Sequence, residues 1–402
     1  MACVPSSPPT PPHPPSRPLS PVGRWSLATR LVEVVDRGGE LLVLAPGVPE
    51  EVAPRLEQSG SGLVLRGGPY DGVGAELVDR GGIAHLVLGG VLALAPWTDA
   101  AIPPVPGIPV PPVRVDPVRE RAYRELLDQA QGVGGDALDP PADLPRADWL
   151  RWVGEQQVVL FHGSPDGGIT EFVPRRTSYE LDDQADRGNR AAVYATDDPW
   201  WSLWFAVVDR DRLRGTIRST VEDFTRPDGQ RLPVYSFSVD RGQLALRPWR
   251  DGWLYVLPRA SFERLPMLPG GPPSHEWCGY SPVVPLARLR VTPADFPFLD
   301  RVGAHDDGDL LRLGDLSDVV RTRVVGGRRT ADGVSLRLAW DAELAGVLDD
   351  YLELGRRWMP EIGREVRRDG AGEVWLDLTA PPALAAMLRE RYAEHVDPHP
   401  AV

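Results

Sequence analysis

The sequence predicts an α+β protein built from several units, and three observations carry that expectation. Short β-prone runs alternate with glycine turns over residues 23–97. Strands alternate with loops around one aromatic-rich helix over residues 151–300. After about residue 300, amphipathic helices alternate with strands. The length, 402 residues, exceeds what one small core accommodates, while 42% apolar and 25% charged residues are ordinary globular proportions.

Residues 1–22 are proline-rich and hold too little apolar surface to offset the entropy of ordering, so a disordered tail is expected there. In residues 23–97 the runs LVEVV, ELLVLA, GLVLR, GAELV and IAHLVLGGVLALA are separated by DRGG, PGVPEE, SGSG and GGPYDG, which predicts a small all-β domain. The string VDRGG occurs at Val35–Gly39 and again at Val78–Gly82, a single five-residue match compatible with a duplicated hairpin. Residues 98–150 form a proline-rich linker with helices. IPPVPGIPVPPVRV (Ile102–Val115) is expected to be a semi-rigid spacer or a strap across the next domain, and Asp116-Pro117 supplies an N-cap and first-turn proline for the helix VRERAYRELLDQA. A second helix, ADWLRWVGEQ, carries Trp149 and Trp152 on one face. In residues 301–402, DGVSLRLAW and GEVWLDL alternate with AELAGVLDDYLELGRRW and PPALAAMLRERYAEHV, which predicts a compact β-α-β-α unit suited to packing or partner binding.

Composition excludes several chemistries. All 44 basic residues are arginine, so no P-loop lysine, Schiff base or pyridoxal site is available. A net charge of −13 argues against broad nucleic-acid binding, which needs basic surface. Cys3 and Cys278 cannot build a disulfide framework, and the seven scattered histidines show no clustered ligand set, so no metal is expected. No apolar run approaches the roughly 20 residues of a membrane helix, and no signal-peptide core opens the chain, so a cytoplasmic location without membrane contact is expected.

Three segments carry chemistry. In VVLFHGSPDGGITEFVPR an apolar strand ends in His162-Gly163-Ser164, where a glycine lets a ligand approach the backbone closely. The plainer alternative is a satisfied histidine at a capped strand end. In AAVYATDDPWWSLWFAVV a strand containing Tyr194 runs through Thr196-Asp197-Asp198-Pro199 into a well-capped helix bearing Trp200, Trp201, Ser202, Trp204 and Phe205. Its tryptophans fit an aromatic core stripe. In SHEWCGYSPVVPLARLRV, Glu276 opens a β-prone segment after the PGGPPS loop, where a carboxylate is either a solvated edge residue or a site residue.

In order and spacing these segments resemble the H-Y-E motif of the ADP-ribosyltransferase superfamily, closest to its diphtheria-toxin and poly(ADP-ribose) polymerase branch. The resemblance covers about 140 of the 402 residues. It implies a central domain, residues 151–300, built on a split β-sheet with helices, that binds NAD as substrate. By position, it implies that His162 bonds a ribose hydroxyl and that the Gly163 backbone, beside Ser164, holds the nicotinamide carboxamide. Tyr194 would stack on the nicotinamide, with Phe205 in the place of the family's second stacking tyrosine. Ser202 would bond the carboxamide oxygen, and Glu276 would contact the ribose 2′-hydroxyl. Ser274, two before Glu276, is not the Glu or Gln of the arginine-modifying branch, which disfavours arginine as acceptor.

Cleaving the nicotinamide–ribose bond suits these residue types. Nicotinamide leaves as a neutral molecule, so the need is a clamp and a negative charge facing an oxocarbenium-like transition state. A carboxylate about 4 Å from that cation contributes roughly 4 kcal/mol at an effective dielectric of 20, on the order of a thousandfold in rate. The leading expectation is therefore ADP-ribose transfer from NAD to an acceptor, with a protein as one candidate and Glu276, His162 and Tyr194 as the central trio. The alternatives are an NAD glycohydrolase with water as acceptor and a non-catalytic binding protein on the same scaffold. RNA 2′-phosphotransfer is disfavoured by the acidic charge, although Arg175, Arg176, Arg187 and Arg190 lie between the first two segments, as a solvated loop or a grip on the pyrophosphate. The flanking domains suit partner recruitment in either case.

Overall fold

The computed structural model describes residues 20–27, 30–60, 62–80, 83–90, 92–96, 105–175, 190–213, 215–266, 271–306, 308–359, 362–370, 372–380 and 382–396. The tail expected at 1–22 therefore lies outside the described residues up to 19, as do Arg176, Arg187 and the start of the proline-rich spacer. The chain combines helices with several separate sheets, a mixed α+β architecture.

Eight strands, β1 (Gly23–Leu27), β2 (Arg30–Arg37), β3 (Glu40–Leu44), β4 (Arg55–Ser59), β5 (Gly62–Arg66), β6 (Gly74–Arg80), β7 (Ile83–Leu88) and β8 (Leu92–Pro96), close into an up-and-down barrel through β1–β8 pairing. The repeated VDRGG strings mark two hairpins of the same register, β2–β3 with Arg37↔Glu40 and β6–β7 with Arg80↔Ile83. In the first, Gly38 and Gly39 both have positive φ, 69° and 94°, as a tight two-residue hairpin loop requires. Val34, Leu56, Leu65, Leu86, Leu88 and Leu94 are among the side chains that fill the interior, with Leu86 and Leu88 at alternate positions of β7.

The spacer crosses from the barrel as strand β9 (Ile108–Pro109), which pairs with a later strand, and helices α1 (Pro117–Gly132) and α2 (Arg146–Gln156) follow. Asp116 caps α1 by accepting from the Val118 and Arg119 N–H groups. The middle of the chain then builds two sheets around β10 (Val159–Ser164), β11 (Val193–Thr196), α3 (Pro199–Val207), β12 (Ile217–Thr225), β13 (Arg231–Asp240), the short α4 (Arg241–Leu244), β14 (Gly252–Pro258), β15 (Glu263–Pro266), β16 (Pro273–Gly279), β17 (Ala287–Val291) and β18 (Gly303–His305). One sheet has the order β15-β16-β11-β10-β14-β17; the other is β12-β13-β18 with β9 on β13. Strand β18 lies beyond residue 300, where the central domain was expected to end, and runs parallel to β13. Helices α1, α2 and α3 share one core with both sheets, so the helices of the expected linker belong to the central packing.

Residues after this form α5 (Gly308–Thr322), β19 (Val324–Thr330), β20 (Gly333–Leu338), α6 (Ala342–Trp358), β21 (Gly363–Arg368), β22 (Val374–Thr379) and α7 (Pro382–Arg391). The unit is thus α-β-β-α-β-β-α on a β19-β20-β22-β21 sheet, richer than the β-α-β-α expected by one helix and two strands. Its core is its own, including Val320, Leu336, Leu344, Leu376 and Tyr392. No helix among the described residues is long and apolar enough to cross a membrane.

Candidate functional site

The strands bearing Glu276, Tyr194 and His162 are direct neighbours, in the order β16-β11-β10. Glu276 pairs with Thr196, and Thr196 with Phe161, in one row across the sheet. Antiparallel partners share a face and faces alternate along a strand, so Tyr194, opposite Cys278, lies on the Glu276 face. The β10–β11 ladder consists of the single pair Phe161↔Thr196, and His162 follows where the strands part. There the His162 ring bridges the seam, its Nδ1 2.7 Å from the Tyr194 carbonyl oxygen. The ring meets Phe172 edge-on at 4.7 Å, on the side of Tyr255. The three residues thus occupy one band of adjacent strands, with His162 at the seam rather than on the face of the other two.

Burial lowers the His162 pKa, the Arg175 charge adds to that, and the carbonyl hydrogen bond opposes it. The ring is accordingly neutral at pH 7. A carbonyl only accepts, so the proton sits on Nδ1 and Nε2 is left as an acceptor, the tautomer that receives a hydroxyl. The Tyr194 hydroxyl accepts from the Arg190 N–H at 2.7 Å and donates to the Arg190 carbonyl at 3.0 Å, which fixes its ring. Arg190 in turn holds the Tyr280 hydroxyl at 2.6 Å and Glu263 at 3.2 Å. Glu276 is half-buried, its N–H donates to the Ser274 hydroxyl at 3.1 Å, and that hydroxyl donates to the Leu265 carbonyl. Burial, followed by the Glu276 charge, pushes the Cys278 thiol up to about 12, so it is an inert packing group.

Helix α3 lies directly on this sheet because two positions lack side chains. A methyl on Gly163 would collide with the Ser202 carbonyl oxygen, and one on Gly252 with that of Ala206. The contact sets the Ser202 backbone against Gly163, the two residues that the resemblance would assign to the carboxamide. The Ser202 hydroxyl is buried and meets no hydrogen-bond partner among the described residues. Buried hydroxyls are ordinarily satisfied, so this one is an acceptor or donor in waiting. Phe205 is partly buried, 6.1 Å from Trp201 and 6.0 Å below Arg210. Trp200 and Trp204 belong to the core, as an aromatic stripe should. Ser164 is buried and its hydroxyl accepts from the Asp166 N–H at 3.1 Å, closing the loop after β10.

Sequence reasoning missed a buried ionic network behind Glu276. His275 is 4% exposed, with Nδ1 2.5 Å from Asp197 and Nε2 2.9 Å from Asp223. Burial would lower its pKa, but the hydrogen bonds and charges of both carboxylates push it up to about 9. Burial would raise Asp223 and Asp197, yet His275, with Arg231 at the first and Arg264 at the second, holds both carboxyls below the usual range. The imidazolium therefore donates from both nitrogens. The Arg231 guanidinium, 3.3 Å from Nε2, is then a second donor and bonds Asp223 instead, at 2.6 Å. Arg264 completes the set with Asp197 at 3.2 Å and the Ser274 carbonyl at 2.6 Å. This clamp ties the start of β16, the loop between β11 and α3, and strand β12 of the other sheet. Next to it, the Asp198 carboxylate caps α3 through the Trp201 N–H at 2.8 Å and takes the Tyr235 hydroxyl at 2.6 Å and Arg151 at 3.1 Å. The doubled acid Asp197-Asp198 and a histidine beside Glu276 were the only signals in the sequence.

Among the described residues no group of three or more His, Cys, Asp or Glu is placed to hold a metal ion. Comparison of the chain with models of known families, with curated proteins and with solved structures finds no match in any of the three.

Proposed function

We propose that the central sheets and α3 bind NAD and cleave its nicotinamide–ribose bond, transferring ADP-ribose to an acceptor. The observation that supports this reading most is the arrangement of three motif-bearing strands side by side, β16-β11-β10, with α3 seated on Gly163. The resemblance to ADP-ribosyltransferases set out above rests on the same residues. Ser202 offers a buried, unpartnered hydroxyl to the nicotinamide carboxamide, next to the Gly163 backbone. His162 Nε2 accepts from a ribose hydroxyl. Tyr194 and Phe205 supply aromatic walls that orient the pyridinium by stacking and cation–π attraction. Glu276 places a carboxylate against the cation that develops as nicotinamide departs. Ser274 orients the Glu276 backbone and is itself occupied, in keeping with an acceptor other than arginine.

The test is nicotinamide release from NAD by purified protein, followed by chromatography. Wild type is expected to release it and Glu276→Ala to do so at least about a hundredfold more slowly. The fate of ADP-ribose, free or covalently attached to protein, separates hydrolysis from transfer. Equal rates in the two proteins would remove Glu276 from the chemistry, and no release from either, with cell extract present, would sink the enzymatic reading.

A further inference from the structure

Where the open end of the barrel meets β12 and β13, the two enclose a cavity of about 120 Å³. Barrel interior side chains, Val32, Val43, Leu56, Leu65, Leu86 and Leu88, line one side. The other side is one face of the β12–β13 ladder. Glu222 pairs with Val234 and Thr220 with Ser236, so these residues and Phe224 point the same way, into the cavity. The lining is mostly apolar; apart from the Thr220 and Ser236 side chains on the ladder face, its polar groups meet at one corner, where the Tyr70 hydroxyl donates to Glu222 at 2.6 Å. Both residues of that corner are only half-buried, so it reaches toward solvent.

We propose that this cavity is a binding site for a small, single-ring or short-chain apolar molecule carrying one hydrogen-bond-donating head, a hydroxyl or an amine. Close-packed interiors hold few voids larger than a water molecule. An aliphatic void stays dry and takes up molecules of benzene size when its volume allows. Barrel mouths and junctions between units are where ligand sites concentrate, and this cavity is both. Its size admits one ring and excludes nucleotides or long acyl chains. The carboxylate of Glu222 accepts and does not donate, which selects a donor head. The Tyr70 hydroxyl orients that carboxylate. The residues used here are separate from the NAD reading, and the inference stands or falls without it.

The experiment is calorimetric titration of the full-length protein with phenol and with toluene, its near-isostere without the donor. Phenol is expected to bind saturably, one per chain, and toluene at least about tenfold more weakly. Val43→Phe fills the cavity from the barrel side and is expected to abolish phenol binding while the protein remains folded by its melting curve. Should that variant unfold, Ala45→Leu fills from the rim and carries the same expectation. Absence of saturable binding to wild type overturns the proposal. Unchanged phenol affinity in a folded filling variant also overturns it, because the ligand would then sit elsewhere. Equal affinities for phenol and toluene overturn the role given to Glu222.

Discussion

At the scale of single residues, the neighbour of Glu276 carries a pH dependence. His275 is charged because two carboxylates outweigh the cost of burying it, and its folded pKa of about 9 lies above the ordinary 6.5. A group whose pKa is raised on folding contributes stability that is complete below pH 6.5 and is lost as pH rises through 9. The shift corresponds to about 3 kcal/mol. Wild type is therefore expected to lose stability between pH 7 and pH 10, measured by urea unfolding at each pH. His275→Gln should be less stable at pH 7, because Asp197 and Asp223 keep their burial without the cation between them, and should lose little more by pH 10. An identical pH slope in the two proteins would show that the imidazolium is not the group that titrates. Asp197 and Asp223 act in the opposite direction: their depressed pKa values give stability that is present above their ordinary values near 3.8 and is lost as pH falls. The clamp is thus strongest in the window between the two. That Glu276 lies on a strand was readable from the sequence, because the β-prone run after a glycine-proline loop is local information, although the strand begins three residues earlier, at Pro273. The clamp was not, since Asp223 lies more than fifty residues from His275 and only the meeting of two sheets brings them together.

At the scale of elements, the geometry of the candidate site depends on how closely α3 approaches the sheet. Gly163 and Gly252 lie on adjacent strands, and each leaves room for the α3 backbone. Gly163→Ala and Gly252→Ala are both expected to lift the helix and to destabilise the fold by about 1–3 kcal/mol, read from chemical denaturation. Only Gly163→Ala also alters the wall beside Ser202. It is therefore expected to reduce nicotinamide release by a larger factor than Gly252→Ala at matched stability, and equal factors would place the effect in folding alone. The elements legible in the sequence were those whose signals are local. Asp116-Pro117 and Asp198-Pro199 mark the starts of α1 and α3, and glycine pairs mark the barrel hairpins. The elements that escaped have two to four residues, like β9, β15 and β18, too few for a period to emerge. Others carry polar residues where a strand pattern calls for apolar ones. In VVGGRRT and GREVRR, arginines replace the expected aliphatics because their stems and guanidinium groups cover aromatic rings: Arg328 and Arg367 lie over Trp375, and Arg364 over Tyr351. Helix α5, GDLLRLGDLSDVVRT, is interrupted by glycine and has only a thin apolar stripe, which hid it as well.

At the scale of the whole molecule, the three regions are not equally independent. The barrel is joined to the central sheets by a shared cluster in which Val52 packs with Phe224, Leu232 and Val234, and by the spacer, whose Gly107 N–H donates to the Pro46 carbonyl at 2.8 Å before β9 enters the second sheet. The wall they share is two-faced: β12 presents Glu222 to the barrel and Asp223 to His275. Barrel and central sheets should therefore unfold as one cooperative unit. The last hundred residues differ. Their core draws only on residues from Leu313 onward, and the last strand before them, β18, is committed to the central sheet, with His305 bonded to Ser238 at 2.8 Å. A chain ending at residue 306 keeps every side chain assigned above to NAD, to the clamp and to the cavity. It is expected to show the larger calorimetric transition of the full-length protein with its midpoint shifted by no more than a few degrees, and to release nicotinamide at the full-length rate. Residues 308–396 alone should give a separate cooperative transition, since a domain with its own core folds by itself. Loss of the larger transition on truncation would mean that the C-terminal unit supports the central fold through contacts outside its core. Loss of nicotinamide release with both transitions intact would instead assign that unit a part in catalysis.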